Sequence, residues 1–148
     1  MRRMIPGLAL ALAALALVPA PEAAAPGYKV VVASANPVTA IDRGELAKVF
    51  LRNVTRWKDG REMAPVDQSG RSEVRTEFTK DVLEKAGMSR ISAVESYWQQ
   101  QIYSGRGVPP PVKASDAEVV AFVVANPGAI GYVSAAADTT GVKVVDVR

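Results

Sequence analysis

From Tyr28 onward, short apolar runs alternate with segments whose apolar residues recur every three or four positions, the interleaving expected of an α/β domain. Tyr28-Lys29-Val30-Val31-Val32-Ala33 is rich in β-branched residues and predicts a buried strand, ended by Asn36-Pro37. Asp42, with Glu45 three residues on, predicts a capping box; Ile41 and Leu46 are placed to staple a helix that runs to about Leu51. Trp57-Lys58-Asp59-Gly60 reads as a turn, since Asp-Gly accepts positive φ, and Glu62 to Asp67 as a second strand. The polar loop Gln68-Ser69-Gly70-Arg71 then leads into a helix capped by Ser72. Its core stripe is Val74, Phe78, Val82 and Ala86, Gly87 suits the C′ position just past its end, and Asp81 is expected to pair with Lys85 on the outer face.

A further helix is expected from Ser89 to just before Gly105, burying Ile91, Val94, Trp98 and Ile102. The prolines of Gly105–Pro111 predict a stiff connector, with docking on an aromatic groove as the other reading. Ser115 and Glu118 form a second capping box. The helix they open, with Val119, Val120, Phe122, Val123 and Val124, is apolar almost all round and is expected to be deeply buried. Asn126-Pro127-Gly128 ends it, and Ala129–Ser134 and Val142–Val147 read as closing strands. The pattern contains no internal repeat.

The first 25 residues have a different character. Arg2 and Arg3 precede the apolar run Leu8–Val18, and Pro19 to Ala25 is small and helix-breaking, the three parts of a secretory signal. The run is shorter than the roughly 20 residues a membrane span takes. The expected division is a signal peptide over 1–25 and one α/β domain over 26–148, exported to the periplasm or secreted, with no membrane insertion after cleavage. The sequence has no cysteine, so disulfides are excluded, and so is a lipid-modified cysteine. Core packing must hold the domain together. Leaving out Arg2, Arg3 and Glu22 with the signal reduces 18 basic and 15 acidic residues to 16 and 14, a balance that gives no footing for nucleic acid.

Histidine is absent too. The usual general base, the thiolate nucleophile and the commonest zinc ligands are therefore all missing, and neither catalysis nor a metal or other cofactor is expected. The segment of chemical interest is Gln68-Ser69-Gly70-Arg71-Ser72-Glu73-Val74-Arg75. A strand end, a glycine-containing loop and a helix opening at a serine present free N–H groups and a helix dipole to an anion, and Arg71 and Arg75 can add charge. From these residues alone the plainer reading, a capped helix whose arginines face water, stands ahead of a binding site.

Three segments, in order, resemble the periplasmic phosphate-binding proteins of ABC transporters. Leu46–Trp57 is similar to that family's I-F-x-G-x-I-T-x-W stretch, Gln68–Phe78 to its R-x-x-G-S-G-T-R-x-x-F anion loop, and Asn126–Val133 to its P-G-A-I-G-Y-V strand. The resemblance implies a single lobe of the type II periplasmic-binding-protein fold, with a mixed central sheet flanked by helices. It also implies an oxyanion, phosphate first, held by Ser72 and the N–H groups after it and neutralised by Arg75 and Arg71. Ser69, Gly70 and Gln68 would shape the loop.

The departures bear on affinity. Gln68 stands where the family has arginine, Arg71, Glu73 and Val74 replace glycine, glycine and threonine, and Arg52 replaces the glycine of the first segment. The family's members are also two-lobed and more than twice this length. The function so implied is that of an exported, non-catalytic phosphate or oxyanion binder. The alternative is an exported interaction module that kept the lobe and lost its ligand. In that case the proline-rich loop or the open cleft face would meet a transporter or another protein, or the cleft face a second copy.

Overall fold

A computed structural model describes residues 26–148; the signal-peptide reading of residues 1–25 lies outside the described residues. Its centre is a five-stranded mixed sheet in the order β2-β7-β1-β6-β3. β1 (Tyr28–Ala33) runs antiparallel to both β6 (Ala129–Ser134) and β7 (Val142–Val147), whereas β2 (Ala40–Ile41) and β3 (Ala64–Pro65) pair in parallel with β7 and β6. The period-two alternation of β1 divides the core. Val30 and Val32 join Ile130 and Tyr132 of β6 on one face, and Val31 and Ala33 join Ala129 and Val133 on the other.

The first face carries α1 (Arg43–Phe50), α2 (Glu73–Asp81), a 3-10 turn (Leu83–Ala86) and α3 (Ile91–Tyr103). α4 (Asp116–Ala125) covers the second with Val119 and Val123. This is the mixed sheet flanked by helices that the resemblance implied. Phe78 of α2 stacks on Tyr132 at 3.9 Å between ring centroids, seating α2 against β6.

Local rules account for most of the boundaries. Asp42 Oδ1 accepts from the N–H of Gly44 at 2.7 Å and of Glu45 at 3.3 Å, opening α1, while Glu45 pairs with Lys48 instead of returning to the cap. At α4 Ser115 Oγ accepts from Glu118 N–H, and the Glu118 carboxylate reaches back one residue further, to the N–H of Ala114. Gly87 ends the 3-10 turn at φ 80°, a conformation that costs glycine nothing.

Other expectations are corrected. The single strand over Glu62–Asp67 is an extended run that changes partners. Ala64 and Val66 donate to Gly128 and Ile130 beside β6; then β4 (Asp67–Gln68) pairs with β5 (Val112–Lys113), Asp67 N–H donating to Pro111 C=O at 2.8 Å. Successive N–H groups of an extended chain point to opposite sides, so one run serves two ladders. Asp81 does not pair with Lys85, because the helix tightens to 3-10 geometry at Leu83 and the i,i+4 register is lost. Instead Asp81 takes the Tyr28 hydroxyl and, at 3.1 Å, Arg43 Nε. Burial and the Asp81 carboxylate push the Tyr28 phenol far above its ordinary pKa. α3 begins at Ile91 after Arg90, with no side-chain cap, and Ile102 is exposed. α4 is not deeply buried either: with one sheet face to cover, its other side, including Val124, meets solvent.

Arg52 follows α1 at φ 61°, alone among the described non-glycine residues in having positive φ. Asn53 and Val54 both donate to Lys48 C=O, which locks the turn in that shape. A side chain there crowds the backbone, and glycine relieves it at the expense of a more disordered unfolded chain. Arg52→Gly is expected to stabilise the fold by about 0.5 kcal/mol net. The check is a higher urea midpoint with an unchanged slope; a lower midpoint would mean that the arginine side chain contributes more than the strain removes.

Candidate functional site

The loop Ser69–Ser72 lies between β4 and α2, and it is held from below by a buried polar network. Gln68, 2% exposed, donates through Nε2 to Asp116 Oδ1 at 2.8 Å and to Tyr132 C=O at 2.9 Å. Its Oε1 accepts from Ser72 Oγ at 3.1 Å. Asp67 accepts from the Tyr132 hydroxyl and from Gln68 N–H, and its other oxygen lies 3.6 Å from Arg75 Nη2. Arg75 Nη1 donates to Gln68 C=O at 3.2 Å. Ser69 N–H donates to Lys113 C=O, tying the loop to β5.

The electrostatics follow from burial. The Tyr132 phenol is pushed far above its ordinary pKa, first by desolvation and then by the Asp67 carboxylate that accepts its proton. Burial works against the Asp116 carboxylate, but donors from Gln68 and Ser134 outweigh it and hold its pKa below the ordinary value.

The six residues singled out in the sequence are thus brought together, in two layers. Gln68 and Arg75 are buried beneath the loop. Ser69, Gly70, Arg71 and Ser72 form its turn, closed by Ser72 N–H on Ser69 C=O at 2.9 Å. Arg71 is exposed. Ser72 occupies the N-cap position of α2, yet its side chain caps nothing: the hydroxyl points at Gln68. The N–H groups of Glu73, Val74 and Arg75 therefore have no partner among the described residues, and the N-terminus of a nine-residue helix is open. Acidic groups lie close. Glu73 sits in the first turn, and a Cβ on Gly70 would stand 3.6 Å from both Arg75 Nη1 and Glu95 Oε1.

Sequence reasoning missed Asp67, Asp116 and Tyr132 as the partners that immobilise this loop. One signal was present, since a tyrosine in an otherwise apolar strand needs a partner for its hydroxyl. Which residue answered it depended on strand pairing. Among the described residues no three His, Cys, Asp or Glu side chains are grouped to hold a metal, and no helix is long and apolar enough to cross a membrane.

A family model described as PBP superfamily domain matches residues 13–148. No curated protein matches the sequence. Among solved structures the chain is similar to an ABC-type phosphate transport receptor from Vibrio cholerae, at 21% identity and a TM-score of 0.57, covering 82% of this chain and 46% of that one. It is similar to a candidate phosphate ABC transporter substrate-binding protein from Clostridium perfringens, solved with bound phosphate, at 20% identity and a TM-score of 0.59, over 82% and 44%. PstS from Borrelia burgdorferi gives 16% identity and a TM-score of 0.60 over 82% and 47%. At these identities the likeness is one of fold, and the chain spans less than half the length of each.

Proposed function

Because the chain belongs to the PBP superfamily domain family, we propose that it is an exported, periplasmic and non-catalytic binder of phosphate or a similar oxyanion, working with a phosphate ABC transporter. One observation carries the reading: the first turn of α2 is open, its N-cap side chain turned away and three N–H groups unpartnered. The anion sits on those N–H groups and on the Ser69–Ser72 turn, with exposed Arg71 supplying charge; the Ser72 hydroxyl gives its one proton to Gln68 and shapes the turn. Gln68 and Arg75 act from below, the first orienting Ser72 and the second holding the Gln68 carbonyl.

Asp67 already neutralises Arg75, and Glu73 opposes the dipole, so affinity is modest and falls with added salt. Calorimetric titration with phosphate and with sulfate at two salt concentrations tests this. Glu73→Gln is expected to tighten binding about threefold by removing a like charge from the first turn, and Arg71→Ala to weaken it by a similar factor. If neither the wild type nor Glu73→Gln takes up either anion, the reading fails.

A second reading, an interaction module facing a protein partner, rests on a different surface. Tyr103 is 95% exposed, and Ile102 of α3, Val108 of the proline-rich loop and Val112 at the start of β5 are exposed as well. Silent titrations would leave this face as the functional one.

A further inference from the structure

At the other end of β1 from the Ser69–Ser72 loop lies a groove of about 640 Å³ between the chain that follows β1, helix α1 and the Trp57–Gly60 turn. The opposition follows from register: Ser134, which shares Asp116 with Gln68, pairs with Tyr28 at the start of β1, whereas Asn36 lies three residues past its end. A groove of this size suits a small organic molecule.

Its floor is apolar, formed by Val38, Ile41, Val49, Val54 and Met63, with Trp57 fixed at one side by an indole N–H bond to Gly128 C=O at 3.0 Å. Asn36, 2% exposed, lines it. Oδ1 of Asn36 accepts from Val38 N–H at 3.0 Å, which fixes the amide orientation. Nδ2 is thereby a buried donor with no partner among the described residues. Such atoms are rare in native folds because leaving a buried donor unpaired is costly.

Charge narrows the ligand. The acids at the groove are already engaged: Asp42 by the first turn of α1, Glu45 by Lys48 and Asp59 by Arg61. The Arg61 N–H groups hold the Asp59 carboxyl below its ordinary pKa. The nearby cations are not so matched. Arg56 bonds only the carbonyl of Gly60, Lys143 donates to the carbonyl of Asn36, and Lys58 has no partner; none of the three meets a carboxylate among the described residues.

We propose that this groove is a second binding site, for a small carboxylic acid with an apolar body: the carboxylate accepts from Asn36 Nδ2 near Lys143, and the body lies along Val54 and Trp57. The proposal does not depend on an anion at α2.

Octanoate is a suitable probe, with octanol as its uncharged counterpart, read by proton–nitrogen NMR of the whole protein. The Asn36 side-chain amide and the Trp57 indole N–H are expected to shift together and saturate with octanoate, and octanol to bind at least several-fold more weakly. Asn36→Asp keeps the acceptor for Val38 N–H but faces the ligand with an oxygen, and it is expected to lose at least about tenfold in affinity. If that variant does not fold, Val54→Asp, a half-buried floor position, takes its place with the same expected loss. Failure of both resonances to saturate overturns the site, as do shifts confined to the first turn of α2. Unchanged affinity in the variant used overturns the groove assignment, and equal binding of octanol overturns the carboxylate head.

Discussion

Arg75→Ala is expected to lower folding stability by about 3 kcal/mol, a larger effect than the loss of any surface charge. The guanidinium and the Asp67 carboxylate are 10% and 12% exposed and 3.6 Å apart, so removing one leaves the other desolvated. Asp67 would keep the Tyr132 hydroxyl and Gln68 N–H, which soften the loss without supplying a counter-charge. The substitution also frees Gln68 C=O, the first anchor of the loop. Urea melts measure the effect, and the double variant Arg75→Met with Asp67→Asn is expected to recover most of it, since a buried pair replaced as a unit leaves no stranded charge. A loss below about 1 kcal/mol would show that the pair is solvated and that Arg75 is available to a ligand after all. Weaker anion binding in Arg75→Ala is therefore ambiguous by itself, and Arg71 is the cleaner probe of charge in the loop.

The second large effect is expected at Gly128. A Cβ there would lie 2.2 Å from the Glu62 carbonyl oxygen, a backbone atom that moves only if the chain moves. The Gly128 carbonyl also accepts from Ala64 N–H and from the Trp57 indole, so shifting this segment disturbs the β3–β6 ladder and the Trp57 anchor together. Gly128→Ala is expected to cost about 3 kcal/mol, at the upper end for an overpacked site. Gly131→Ala makes the comparison. Its added methyl would meet side-chain methyls of Val66 and Val119 at 2.7 and 2.8 Å, which have rotamer freedom, and the expected cost is about 1.5 kcal/mol. Thermal melts of the two variants rank them; Gly131→Ala proving the more damaging would refute the backbone-clash account.

What the sequence determined by itself was whatever depends on neighbours along the chain. The β-branched run at Tyr28–Ala33 and the strands Ala129–Ser134 and Val142–Val147 have the predicted bounds, because period-two burial is written in consecutive residues. The caps at Asp42 and Ser115 and the left-handed end at Gly87 were legible for the same reason, each being a bond or dihedral within four residues.

What only the tertiary structure decided involves partners far apart in sequence. β2 and β5, two residues each, carry no period and exist only because β7 and β4 lie beside them. Ser72 holds the position of a cap, but its hydroxyl prefers Gln68, a side chain that Asp116 and Tyr132 have immobilised from 48 and 64 residues away. Arg75 reads as water-facing from its own segment and as ligand-facing from the family resemblance, and it is turned inward because a strand end delivers Asp67 beneath it. Long-range pairing gives a buried polar group a partner that no local rule can name, and so it decides which hydrogen-bonding groups of the loop remain open to a ligand.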